Sequence, residues 1–567
     1  MGNFEYTVED KTVKLNDEIE SELVSSIPSK FDRWNSNRQT QLDDISLIRK
    51  LIYVKPSEKI EFGDDLVLPD IYELEETLTS HIWENVYQNP TNMFCVEGRN
   101  EESQENAVKQ KAMLVNSLEN MKIKYELEKI VKNGVETGDL IAFVGWETKV
   151  KQIRRKKTEI ELAVEKLKAS VTGIKPNNFI VENKVIFEGA TVKAVSTENF
   201  VFDATKKDRW DSCPKIIRSL ASYDDISSER NYCLDSETKE LLKNLTQKKE
   251  GTVEEMKEGA VCGDQLEILE FWGDLKLNNG DILRNWLVVV AGRSKIIRFE
   301  SNPFIVNPII YANLIEDPDL KRGISPLRVA VNLNLISSDI LNKNLDILAL
   351  LINPPYLVPE GAMSGKVKLT PGHIQEYNPA IMSKEPIKLD FSSALRSWDF
   401  IQYFKKNIES STGIFAYMSG KPIQGQRTAT ETDALVSGQS ARLSKIIDSV
   451  NQKLIIPIVE KVADLISNYE YGIRVITVPS ENGISSVAID DSVRQGEYKY
   501  SYTDNKSGMA RKAKFKEFIE FMAQFFKIAP NTINVQETFK YGLEQLGVEN
   551  TSRFISQNAE TMPKTMV

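Results

Sequence analysis

Gly323-Ile324-Ser325-Pro326-Leu327-Arg328 opens the stretch whose reading decides the fold, and Asn353-Pro354-Pro355 closes it. Between them Leu327, Val331, Leu335, Ser338, Leu341, Leu345, Leu348 and Ile352 advance by three- and four-residue steps, the spacing of one helical face. Asn332, Asp339, Lys343 and Asp346 form a narrow polar stripe elsewhere on the same cylinder. Pro326 suits the first turn, where the missing amide has no partner to lose. At about 1.5 Å per residue the predicted helix runs roughly 40 Å. The pattern predicts that most of its circumference is buried.

Working outward, residues 354–391 are rich in Pro, Gly and short alternating stretches, and read as a small β-containing insertion. A second helix is predicted from Ala394 to Glu409, interrupted by Gly413. Met418 to Gln426 carries glycines, a proline and polar side chains, which predicts an exposed loop. A third long helix begins near Thr430, with Leu443, Ile447, Val450, Leu454, Ile458, Val462 and Leu465 on one face and Pro457 as a kink. Strands are predicted at Ile473–Val478 and Glu497–Tyr502. Phe515, Ile519, Met522, Phe525 and Phe526 then give C-terminal helices an apolar face.

Upstream, Pro56 and Pro69 break short amphipathic helices, and a helix around His81 to Tyr87 stops at Asn89-Pro90. Glu101 to Lys132 is predicted as one helix, with Leu114, Leu118, Met121 and Tyr125 on its packed side and Asn133-Gly134 as its stop. Strands are predicted at Leu140–Trp146, Asn178–Phe187, Thr191–Ala194 and Asn199–Phe202. An antiparallel meander is predicted over Leu266–Trp272, Trp286–Ala291 and Lys295–Phe299. The fold class is α+β.

The chain's 567 residues suit about two to four folding units. Its apolar and charged fractions are those of an ordinary globular protein. No apolar run approaches the roughly 20 residues that span a bilayer, and the charged N-terminus lacks a signal-peptide core, so the chain reads as cytosolic with no membrane partner. The net charge of −10 argues against gripping nucleic acid over a broad surface. The basic run Arg154-Arg155-Lys156-Lys157 reads first as a solvated strand or helix end, and second as a nucleic-acid contact.

Catalytic constellations are scarce. Cys95, Cys213, Cys233 and Cys262 lie far apart, and His81 and His373 are the two histidines, so neither a zinc site nor imidazole chemistry is suggested. Gly361-Ala362-Met363-Ser364-Gly365-Lys366-Val367 has one residue too few between its glycines for a phosphate loop, and Val367 stands where Ser or Thr must reach magnesium. No cofactor or metal is expected. Paired acids such as Asp224-Asp225 and Asp490-Asp491 keep a metal-dependent nuclease as the rival reading.

The order of these elements resembles the portal proteins of tailed bacteriophages, most of all those of short-tailed phages. Gly323-Ile324-Ser325-Pro326-Leu327-Arg328 is similar to the start of the portal stem. Asn353-Pro354-Pro355-Tyr356-Leu357-Val358-Pro359 with Leu369-Thr370-Pro371-Gly372 is similar to its passage into the clip. Ile408-Glu409-Ser410-Ser411-Thr412-Gly413-Ile414 and Arg427-Thr428-Ala429-Thr430-Glu431-Thr432 resemble the flanks of the tunnel loop. Asn89-Pro90-Thr91-Asn92-Met93-Phe94 and Gly138-Asp139-Leu140-Ile141-Ala142-Phe143-Val144-Gly145-Trp146 resemble the wing. The likeness runs from about Ile82 to Pro530.

The resemblance implies a division into an N-terminal region and α/β wing (1–322), first stem helix (323–353), clip (354–392), second stem helix (393–412), tunnel loop (413–429), kinked helix with returning wing strands (430–509) and helical crown (510–567). It implies a homo-oligomeric ring of about twelve copies at one capsid vertex of the virion, assembled in the host cytoplasm. Double-stranded DNA would pass through, while the terminase large subunit, a head-completion or tail adaptor, and the major capsid and scaffolding proteins would dock outside. The implied channel wall carries Asn332, Asp339, Lys343 and Asp346, the tunnel loop Lys421, Gln424, Gln426 and Arg427, and the clip Lys366 and Lys368. No residue is assigned a catalytic role. Another structural subunit of a phage-derived particle is the second alternative.

Overall fold

A computed structural model describes residues 5–8, 11–54, 66–87, 90–164, 179–229, 231–247, 261–262, 265–304, 307–352, 356–357, 378, 380, 387–388, 398–414, 442–480 and 483–502. Within them the chain is α+β, with antiparallel sheets and helices that cover them. The expected meander is present. Strands Gln265–Lys276, Ile282–Ala291 and Lys295–Ser301 pair in sequence, and Lys215–Ser222 and Phe200–Phe202 extend the sheet on the far side of Gln265–Lys276.

Period-two alternation explains why this sheet is buried on both faces. Trp286, Val288 and Val290 point to one side, where Leu23, Ile27, Phe31 and Trp34 of helix Asp17–Ser36 cover them. Leu287, Val289 and Ala291 point to the other, into a cluster with Phe200, Phe202, Ile268 and Trp272. Arg293 fastens helix to sheet, because its guanidinium bridges buried Glu267 at 2.5 Å and Asp32 at 2.8 Å.

A second sheet has the order Ile309–Asn313, Asp139–Lys156, Phe179–Ala194. The sequence divides the last strand in two; the structure makes it one, with a register shift opposite Lys149 and Val150 absorbing the irregularity. The helix predicted from Glu101 to Lys132 is also different. It breaks where Lys122 takes φ +54°, giving helices Glu101–Asn120 and Ile123–Thr137. Asn133-Gly134 is not a stop. Gly134 packs on Leu140, and the helix ends at Gly138 with φ +89°.

The long helix spans Arg328–Ile352, about 37 Å. It starts five residues later than Gly323, since residues 323–327 are spent joining the sheet. Helix Trp398–Thr412 packs along it and ends at Gly413, φ +76°. Between them Tyr356–Leu357 pairs with Ile387–Lys388, the two strand pieces of the insertion that are described. Asn451–Ile455 forms a π-turn ahead of helix Ile456–Tyr469, which places Pro457 at the start of a fresh α-helical stretch, where its missing N–H costs least. Arg474–Ser480 pairs with Gly483–Ile489, a strand missed from sequence, and Tyr498–Tyr502 returns to pair with Phe94–Gly98.

Two glycines let the base of the long helix meet the second sheet. A Cβ on Gly138 would lie 2.4 Å from the Ile324 carbonyl carbon, and one on Gly323 would lie 2.2 Å from the Gly138 oxygen. Gly138→Ala adds left-handed strain to this overlap, and about 3 kcal/mol of destabilisation is expected in urea unfolding. A loss below about 1 kcal/mol would show that the two backbones separate easily.

Candidate functional site

The long helix and the joint at its base are the candidate site. At about 100° per residue, Asn332, Asp339, Lys343 and Asp346 fall within an arc of roughly 60°. Asn332, Asp339 and Lys343 are exposed, and Asp346 is half-buried. Lys343 donates to Asp339 one turn earlier at 2.5 Å, so these two charges cancel locally. Arg328, at the first turn, pairs with Asp44 of helix Gln39–Ile52 at 3.0 Å.

Burial on this helix differs from the expectation. Val329, Leu335 and Ile336 are exposed at 54%, 37% and 45%, on the same side as the polar stripe. Of the face read from the sequence, Val331 and Ser338 are buried in the helix, and the other buried residues are small or polar: Ala330, Asn334, Ser337 and Asn344. The reason is a strap. Leu66 and Leu68 run along the helix, and their backbone groups are read by side chains four residues apart. Asn342 accepts from Leu66 N–H at 3.0 Å and donates to Leu66 C=O at 2.9 Å. Ser338 accepts from Leu68 N–H at 3.0 Å, and Asn334 donates to Leu68 C=O at 3.0 Å. A strap with no sheet to join needs partners for its partly buried amides, and this ladder supplies them.

The joint is built on Asp139, fully buried at the start of its strand. One carboxylate oxygen accepts from Gly323 N–H at 2.6 Å and from the Tyr311 hydroxyl at 2.6 Å; the other accepts from Gln41 at 3.0 Å. Gln41 also donates to the Gly323 carbonyl at 3.0 Å. Three separate segments therefore meet on one carboxylate. Burial, then the Asp139 charge, pushes the Tyr311 hydroxyl well above its ordinary pKa, which keeps it a donor. Two buried cations balance the site. Arg322 lies over the Phe202 ring at 4.2 Å, its pKa lowered by burial. Arg38 donates to Thr197 C=O at 2.6 Å and Glu198 C=O at 2.8 Å, its pKa lowered by burial and by Arg322.

Beside the joint lies a small cleft of about 60 Å³ lined by Gln41, Asp44, Thr137 and Gly323, large enough to hold a few waters. Among the described residues no group of three His, Cys, Asp or Glu is placed to hold a metal ion, and no helix is long and apolar enough to cross a membrane.

Of the residues expected at the site, Asn332, Asp339, Lys343 and Asp346 share one face. Lys366, Lys368, Lys421, Gln424, Gln426 and Arg427 lie outside the described residues. Sequence reading missed Gln41, Asp139 as a hub, Tyr311, Arg322 and Arg38. Only Gly138-Asp139, two polar or small residues at the head of an apolar strand, carried a signal for it.

The chain matches the family model described as phage SU10 portal protein over residues 65–559. No curated protein matches it.

Asp139→Asn presents an amide donor where Gln41 also donates, and removes the carboxylate that faces both Arg322 and Arg38. We expect a loss of about 3 kcal/mol in urea unfolding. A loss under about 0.5 kcal/mol would refute the hub role of the carboxylate.

Proposed function

The chain belongs to the phage SU10 portal protein family, and on that premise we propose that it forms a ring, of about twelve copies, through which double-stranded DNA passes during packaging and ejection. The family match over residues 65–559 carries this reading. The exposed face of the long helix supports it. Val329 and Ile336 flank the polar stripe on one side and Leu335 on the other, all wet in the single chain, and copies related by rotation would bury them on either side of the stripe in a heterologous, closed contact.

In this proposal helix Arg328–Ile352 is the first stem helix and Trp398–Thr412 the second, with Asn332, Asp339, Lys343 and Asp346 turned to the channel. A conduit gains nothing from tight binding, because each fixed cation adds sequence-independent affinity for phosphate and resists sliding. The Asp339–Lys343 pair suits that need, since it presents polar groups without net charge. Lys421, Gln424, Gln426 and Arg427 form the tunnel-loop contact to DNA. Residues 354–392, with Lys366 and Lys368 on the DNA side, form the clip on which the terminase large subunit docks and which a head-completion or tail adaptor later takes over. ATP hydrolysis belongs to the terminase, so the chain itself needs no active site. Residues 1–322 form the wing facing the major capsid and scaffolding proteins at one vertex of the virion, and residues 510–567 the crown.

Electron microscopy of the purified protein should show rings with a central hole wide enough for duplex DNA, and a compact monomer would refute the reading. In assembled particles, replacing Asp339 and Asp346 together by Arg should leave the ring intact and lower the DNA packaged per particle several-fold, by the added phosphate affinity. Unchanged packaging would remove these residues from the channel wall. Alanine at Lys421, Gln424, Gln426 and Arg427 should reduce packaging or retention of DNA; no effect on either would dismiss the tunnel-loop assignment.

A further inference from the structure

Helix Arg328–Ile352 meets the segment before Pro69 in a way that apolar packing does not require. Asn342 accepts from the Leu66 amide at 3.0 Å and donates to the Leu66 carbonyl at 2.9 Å, as a neighbouring strand would. Neither Leu nor Asp at position 342 could serve both groups. Ser338 gives its own proton to the Asn334 carbonyl at 2.8 Å, so towards the Leu68 amide its oxygen acts as the acceptor. Asn334 donates to the Leu68 carbonyl, and Val67, between the two leucines, packs against the core.

The same segment reaches the second helix. After Pro69, Asp70 opens helix Asp70–Val86, and its carboxylate pairs with Lys405 of helix Trp398–Thr412 at 3.2 Å. Residues 66–70 therefore hold both helices through directional polar contacts. Apolar contacts have no preferred direction and let a helix turn about its axis, whereas hydrogen bonds of fixed angle do not. Asn334, Ser338 and Asn342 follow one four-residue row of the helix. The middle of that row lies roughly 110° from the middle of the polar stripe.

We propose that residues 66–70 are a clamp that sets the rotation of helix Arg328–Ile352 about its own axis, with Asn342 as the positioning residue and Lys405 bringing helix Trp398–Thr412 into the same clamp. The clamp is a property of the single chain. Its consequence rests on the ring reading above: with the rotation set, Asn332, Asp339, Lys343 and Asp346 are held towards the channel. A turn of about 50° in one sense would put Leu335 where the stripe stood, and in the other sense Ile336. The clamp thus decides whether the channel wall is polar or apolar.

Hydrogen exchange at the Leu66 and Leu68 amides of the unassembled full chain, resolved by fragmentation mass spectrometry, tests the clamp. Asn342→Leu should speed exchange about tenfold at Leu68 as well as at Leu66, although Asn342 bonds only the latter. Lys405→Met should speed both about threefold from the other helix. Unchanged exchange in strand Ile282–Ala291 shows that each variant is folded, and Lys405, being partly exposed, keeps the test decisive if Asn342→Leu does not fold. Rates at both amides that ignore Lys405→Met mean that the two contacts open separately, and overturn the clamp. In assembled rings, thiol labelling of Asp339→Cys relative to Leu335→Cys, quantified on the peptide carrying each, should fall about threefold when Asn342→Leu is added, as the helix populates other rotations. A constant ratio beside fast exchange at Leu66 and Leu68 overturns Asn342 as the positioning residue. A chain with the expected exchange that forms no rings removes the ring reading and upholds the clamp.

Discussion

One carboxylate, that of Asp139, ties the base of the long helix to the second sheet. It accepts hydrogen bonds from Gly323 at the approach to the long helix, from Tyr311 in the neighbouring strand and from Gln41 in an N-terminal helix. A buried charge is expensive, and it persists only where partners satisfy it fully. Here the donors belong to segments far apart in sequence, so the cost of burial is offset only when all three arrive together. That makes the joint cooperative. Arg322 and Arg38 supply countercharge, and their own burial means that they too depend on the carboxylate.

The strap at Leu66 to Leu68 extends the same logic up the helix. Asn334, Ser338 and Asn342 are poor choices for an apolar seam, yet they match the backbone groups of a passing chain at the spacing of successive turns. The long helix is therefore held on its inner side by specific polar contacts and left apolar on part of its outer side. A helix that only had to fold would be built the other way round. This inversion is the feature most consistent with further burial by other subunits.

How much of this was legible in the sequence depended on whether a single periodicity was decisive. Trp286 to Ala291 reads as a strand because its branched and aromatic residues leave no alternative, and it is one. The length of the helix ending at Ile352 and its polar stripe were equally plain. Its buried side was not, because the strap's amides, invisible to hydropathy, select Asn and Ser over Leu. Gly134 misled because a glycine marks a helix end only when its backbone turns left-handed, and Gly138 does so while Gly134 serves close packing on Leu140. The Asp139 joint was out of reach for a different reason. Its partners are one glutamine, one tyrosine and one backbone amide, none of which announces itself by spacing. The hairpin completed by Gly483–Ile489 was missed because Ser485 and Ser486 dilute its alternation.

The contact between Gly138 and Gly323 has a consequence for tolerances. Where two main chains touch without side chains between them, the closest approach is set by covalent dimensions and van der Waals radii and not by the size of an intervening side chain. In a closed circle of identical parts, a small angular error at one joint repeats in every part, and the sum must vanish for the circle to close. A joint set by backbone contact acts as a datum, against which side chains elsewhere can vary in size.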